Sequence, residues 1–126
     1  MRRAVITGLG IVSCIGIDKK SVEESLRKGT SGISKSPDYE EHGFRSRVHG
    51  KPDMNIEDFI DKRQLRFMGD GAAFNFIAMQ QAIEDSGLEE KEVSNERTGL
   101  IVGSGGPSTK NLFAAHKTVI EKGSPK

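Results

Sequence analysis

Apolar positions in this chain fall into a few short runs separated by long polar stretches. The first run, Ala4-Val5-Ile6-Thr7, is rich in β-branched residues and passes at once into Gly8-Leu9-Gly10. It predicts a short buried strand over 3–7. A helix is predicted over 19–28, where Val22 and Leu26 lie four apart, Ser21 and Glu24 have capping-box spacing, and Gly29 supplies the stop. Residues 29–44 read as loop, and a weak strand is expected over 45–49, ended by Gly50 and Pro52. The most regular pattern runs over 62–86, where Leu65, Met68, Ala72, Phe76, Met79 and Ile83 recur at three- and four-residue spacing. A second stripe, Phe67, Gly71, Phe74 and Ala78, lies on another face of the same predicted helix. Asp61 is placed to cap its start and Gly87 its end, with Leu88 beyond. An acidic connection over 89–96 leads to a second strand over 98–102, the turn Gly103-Ser104-Gly105-Gly106-Pro107, and a last helix over 110–121 ending at Gly123.

Strands alternating with helices predict an α/β fold with a parallel sheet. Two strands make a poor sheet, and a helix apolar on two faces belongs inside a larger body. The pattern is therefore expected to be one part of a larger fold. Composition agrees: only 34% of the 126 residues are hydrophobic, mean hydropathy is −0.49, and Trp, the largest core anchor, is missing. The net charge of +1 supplies no global field for nucleic acid or a membrane surface. One cysteine excludes an internal disulfide, and no Cys/His spacing suggests a metal site. Arg2 and Arg3 precede an apolar segment too short and too glycine-broken for a signal peptide or a membrane span, so a cytoplasmic location is expected.

Gly8-Leu9-Gly10 after a strand invites a dinucleotide-binding turn. The third glycine of that motif would fall at Ser13, no helix is predicted to start there, and no acidic strand end follows at the required distance. Gly103-Ser104-Gly105-Gly106 lacks the Gly-Lys-Ser/Thr of a phosphate loop. It reads either as a tight turn needing positive φ or as bare backbone leaving room for a ligand. Cys14 has no histidine near it in sequence and is expected to be a small buried residue; His42, His49 and His116 lie in separate segments and form no catalytic pattern. Lys62, Arg63 and Arg66 occupy the first turns of the long predicted helix, where the macrodipole disfavours cations by about 0.3–1 kcal/mol each. Arg45, Arg47 and Lys51 lie upstream. This cluster is either a solvated helix end offset by Asp61 and Asp70, or a docking patch for an acidic partner.

Taken together, RAVITGLGIVSCIG at 3–16, LRKGTSGI at 26–33, FRSRVHGK at 44–51, IDKRQLRFMGDGA at 60–72, AIEDSGL at 82–88 and TGLIVGSGGPS at 98–108 resemble the N-terminal part of the β-ketoacyl-acyl carrier protein synthases, most closely type I. The resemblance implies a thiolase-like fold, layered α/β/α/β/α, of which residues 1–126 would be the N-terminal segment, with the remainder beyond residue 126. It implies a homodimer that performs a decarboxylative Claisen condensation of an acyl thioester with malonyl-acyl carrier protein in fatty-acid biosynthesis. No metal or dissociable cofactor is implied; phosphopantetheine arrives on the carrier protein.

The family's nucleophilic cysteine and two histidines belong to later segments, so no catalytic residue is assigned in this chain, which alone is expected to be inactive. Cys14 stands where the family commonly has a small residue such as serine, and it does not inherit the nucleophile role. Arg45, Lys62, Arg63 and Arg66 match basic positions the family uses to meet the carrier protein, and Lys126 is aligned with another. Gly105 and Gly106 match the turn that borders the acyl pocket, and glycine at 106 is a type I feature. Two other readings stand beside this one: a non-catalytic carrier-binding member of the same fold, and a nicotinamide-dinucleotide-binding domain.

Overall fold

The computed structural model describes residues 3–124 of the chain. In chain order the elements are α1 (Lys19–Lys28), β1 (Ile33–Lys35), α2 (Pro37–Glu41), β2 (Val48–Gly50), a 3-10 turn (Ile56–Asp58), α3 (Lys62–Leu65), α4 (Asp70–Ser86), α5 (Glu90–Val93) and α6 (Thr109–Lys122). None of the described helices is long and apolar enough to cross a membrane.

α1 begins one turn before the capping box read from sequence. Asp18 is the N-cap, its carboxylate accepting from Ser21 N at 2.7 Å, while Ser21 Oγ accepts from Asp18 N at 3.2 Å. Ser21 therefore closes a capping box that opens at Asp18. Gly29, Gly87 and Gly123 end α1, α4 and α6 in the left-handed region, where a β-carbon is disfavoured.

The long predicted helix is two helices. α3 lasts one turn, capped by Asp61 through Arg63 N at 2.7 Å, and α4 starts afresh at Asp70 with Gly69 as its N-cap. Phe67 N and Met68 N make tight bonds to Gln64 O and Leu65 O, both at 3.1 Å, so the turn keeps the contour of a helix while the chain changes direction. That is why the three-and-four spacing runs through the break without interruption. Gly69 sits there because a β-carbon would lie 2.7 Å from Ser108 Cβ, at the cap of α6.

The core gathers Ile60, Ala73 and Ile77, with Val12, Met54, Ile56, Leu65, Met68 and Phe76 packed around them. Ala73 and Ile77, the most buried positions of α4, belong to neither stripe predicted from spacing. The buried line of α4 runs between those stripes.

The expected strands at 3–7 and 98–102 do not form: both segments lack regular secondary structure, with Ile6 91% and Ile101 98% exposed. The sheet among the described residues is an antiparallel pair, β1 on β2 with Ser34 opposite His49, in a region partly read as loop. The stretch that follows the first of the two expected strands, 8–17, lies on α4. Leu9 N donates to Asp85 Oδ2 and Ile11 N to Gln81 Oε1, each at 3.0 Å, and Gln81 Nε2 donates to Ile17 O at 2.8 Å. Backbone groups that a strand would give to a neighbour are here satisfied by helix side chains. Gly8 and Gly10 permit this contact, since β-carbons on them would meet Ala82 O at 2.0 Å and Ala78 O at 1.8 Å.

Asp85 also pairs with Lys19. The Lys19 ammonium, and then the Leu9 N–H, hold its carboxyl below the ordinary 3.8. A depressed folded value means the contribution is present above the unfolded pKa and is lost as pH falls through the folded one. Asp85→Asn is therefore expected to flatten the fall in melting temperature below about pH 4. Identical acid limbs for the two proteins would contradict this role.

Candidate functional site

Two features stand out, a cationic turn and an apolar cleft. Breaking the helix at Gly69 removes Lys62, Arg63 and Arg66 from the start of the long element. A one-turn helix has little summed dipole, and the first residue of α4 is the acidic Asp70, which its dipole favours. The cations of α3 thus do not oppose their own helix as the sequence suggested. Their pairing is the more informative property. Lys62 Nζ lies 3.1 Å from Glu57 Oε2, whereas neither Arg63 nor Arg66 forms an ion pair among the described residues. Arg66 places its guanidinium 5.9 Å from the centre of the Phe67 ring, and that ring is 86% exposed.

Arg45 is exposed before β2, and its neighbour Arg47 pairs with Glu40 at 2.8 Å. Among the described residues no hydrogen bond or ion pair joins Arg45 to the cations of α3. Lys126 lies outside the described residues.

The cleft, about 920 Å³, opens between α4 and the segment 100–110. Met68, Phe76 and Met79 line one side; Leu100, Ile101, Val102 and Gly106 line the other. Gly106 thus faces the space, while Gly105 lies in the same turn outside the lining. The turn is tied by Ser104, whose Oγ donates to Gly106 O at 2.8 Å. Positive φ occurs at Gly29, Gly43, Gly87 and Gly123, and not at Gly103, Gly105 or Gly106. The strained-turn reading of these glycines is therefore corrected. A β-carbon on Gly105 or Gly106 would meet nothing within 4 Å, so what glycine preserves here is open volume.

The apolar part of this lining suits an alkyl chain, and the lining holds neither cysteine nor histidine. Cys14 lies elsewhere, half-buried against Gly32 and Gly50. His49 stands edge-on to Tyr39 with ring centres 5.7 Å apart, and His42 Nδ1 is 2.8 Å from Asp38 O. His116 is exposed on α6. These groups do not converge, and no metal-holding cluster of His, Cys, Asp or Glu occurs among the described residues. Sequence reasoning missed the exposure of Phe67 and the cleft walls Phe76 and Met79, because one uninterrupted periodicity assigned all three to a buried helix.

The whole of this architecture has counterparts. A family model described as β-ketoacyl synthase, N-terminal domain, matches residues 1–125. The chain is 49% identical over 115 residues to the 3-oxoacyl-[acyl-carrier-protein] synthase 1 of Haemophilus influenzae, covering 91% of this chain and 28% of that protein. It is 48% identical over 117 residues to the protein of the same name in Escherichia coli strain K12, covering 91% and 29%. The chain thus spans less than a third of the length of these curated relatives. A crystal structure of a β-ketoacyl synthase from Burkholderia phymatum superposes over all of this chain and 31% of its own, at 27% identity and a TM-score of 0.77. The ishigamide ketosynthase/chain length factor shares the fold over 96% of this chain and 30% of its own, at 24% identity and a TM-score of 0.79.

Proposed function

Because the chain belongs to the β-ketoacyl synthase family, as its N-terminal domain, we propose that the whole protein is a 3-oxoacyl-acyl carrier protein synthase of fatty-acid biosynthesis. The observation that carries this reading is the 49% identity to a 3-oxoacyl-[acyl-carrier-protein] synthase 1 over 91% of the chain. The fold supports it: likeness to a β-ketoacyl synthase extends over every segment of the chain.

In this reading residues 1–126 form the N-terminal segment of a thiolase-like condensing domain. An acyl chain passes from its carrier to a cysteine thiol supplied by another segment of the protein. The carboxylate of malonyl-acyl carrier protein leaves as carbon dioxide, and the electron pair of that bond becomes the nucleophile. It attacks the thioester carbonyl, the cysteine leaves as thiolate, and a 3-oxoacyl chain two carbons longer remains on the carrier. The residues of this segment position rather than react. Arg45, Lys62, Arg63 and Arg66, with Lys126, would meet the acidic carrier, and Gly106, in the turn it shares with Gly105, would border the space for the acyl chain. The phosphopantetheine arm comes with the carrier, and the reaction needs no metal. A cytoplasmic homodimer is the assembly that accompanies this reading.

Full-length protein mixed with acyl- and malonyl-acyl carrier protein is expected to yield the elongated 3-oxoacyl product by mass spectrometry; carrier binding without product would favour the non-condensing reading. The cleft makes a sharper prediction. A branched side chain at Gly106 would project into open volume. Gly106→Ile is expected to cut kcat/KM for the longest accepted acyl chains by roughly tenfold while sparing short ones. An unaltered chain-length profile would remove Gly106 from the pocket.

A further inference from the structure

We propose that Phe67 is the apolar anchor of the cationic turn, docking an apolar side chain that an acidic partner protein carries among its carboxylates; this rests on the carrier-docking reading above. Leu65 and Met68 turn into the core, and Phe67 between them turns out. It does so from an ordered turn, not a frayed one, since Phe67 N and Met68 N are both bonded at 3.1 Å. An aromatic ring presented this way leaves most of its apolar surface in water. The nearby Arg66 guanidinium, 5.9 Å from the ring centre, restrains it by a cation–π contact.

The charges around the ring define its occupant. The acids of this region are engaged: Glu57 pairs with Lys62, Asp58 accepts from Asn55, and Asp61 caps α3. Arg63 and Arg66 have no such partner among the described residues. A surface of two open guanidinium groups around one ring matches carboxylates around one apolar side chain. Two cations on a chain of net charge +1 are too few for a phosphate track. Ile6 and Ile101, the large apolar residues more exposed than Phe67, lie on segments without strand partners among the described residues, whereas Phe67 lies on a helical turn outside the cleft. Phe113, 77% exposed on α6, has no arginine on its helix.

The test uses full-length protein and purified holo-acyl carrier protein, with affinity read by fluorescence anisotropy. Phe67→Ala is expected to raise Kd by about tenfold, and Phe67→Leu by distinctly less. The effect of Phe67→Ala should persist at about 1 M salt, where the contribution of Arg63 and Arg66 is screened away. Its melting temperature should match the parent's. An unchanged Kd for Phe67→Ala, while charge reversal on α3 weakens binding, would overturn the anchor and leave the docking patch standing. A lower melting temperature with unchanged Kd would overturn it too, by placing the ring in a core. If charge reversal on α3 also has no effect, the docking reading itself fails. Loss of affinity for a short oligonucleotide or an anionic vesicle, with carrier affinity intact, would assign the ring to another class of partner and overturn the proposal.

Discussion

Reversing Lys62, Arg63 and Arg66 together to Glu in the full-length protein is expected to raise the KM for acyl carrier protein by about a hundredfold at low salt, with kcat at saturation little changed. That factor corresponds to roughly 1 kcal/mol per reversed charge at the rim of an interface, where solvent screens each pair. All three side chains lie on one helical turn and its cap, and two of them are not ion-paired among the described residues, so little internal pairing opposes an incoming carboxylate. Lys62 differs in already holding Glu57. Lys62→Glu alone should therefore do less than Arg63→Glu or Arg66→Glu. The decisive comparison is across ionic strength: between about 0.01 M and about 1 M salt the Debye length falls from about 30 to about 3 Å. Parent and triple variant should converge at the upper end. An equal KM at low salt would remove α3 from carrier recognition.

Gly10→Ala is expected to destabilise the protein by about 3 kcal/mol or more, the upper range for forcing a methyl into filled space. The new β-carbon would lie 1.8 Å from Ala78 O, a backbone atom inside α4 that has no rotamer by which to yield. The opening segment would have to lift off the helix. Lifting it strains the bonds from Leu9 N to Asp85 and from Ile11 N to Gln81. Gly71 provides the control, because it lies in the first turn of α4 and a methyl added there would meet nothing within 4 Å. Gly71→Ala should be neutral or stabilise by up to about 1 kcal/mol, through helix propensity. Urea midpoints of the two variants measure the difference. Equal midpoints would show that Gly10 is not a contact glycine.

The glycines of the opening segment show what the sequence could and could not disclose. Ser13 ruled against a pyrophosphate cradle, and the order of segments pointed to the thiolase-like fold. Nothing local, however, revealed that Gly8 and Gly10 face α4, because Ala78 and Ala82 lie about seventy residues away and their carbonyls have no side-chain signature. Terminal glycines behaved differently. Gly29, Gly87 and Gly123 were legible as helix stops because a left-handed cap depends on the residue in place. The break at Gly69 was hidden, since a tight turn at 64–68 preserves a three-residue step. With it went the exposure of Phe67 and the true burial line through Ala73 and Ile77. Strands at 3–7 and 98–102 were read from β-branched runs, and neither segment forms a strand. Pairing is a property of neighbours, which no single segment encodes. Of the candidate site, residue type located the cations and the glycine turn, while the cleft beside Gly106 needed the third dimension.

The central claim, that the protein joins an acyl thioester to malonyl-acyl carrier protein, is tested most directly by stoichiometry. Full-length protein supplied with acyl- and malonyl-acyl carrier protein, without nicotinamide or metal, is predicted to release one carbon dioxide for each 3-oxoacyl chain formed. Carrier binding with neither product nor carbon dioxide would contradict it.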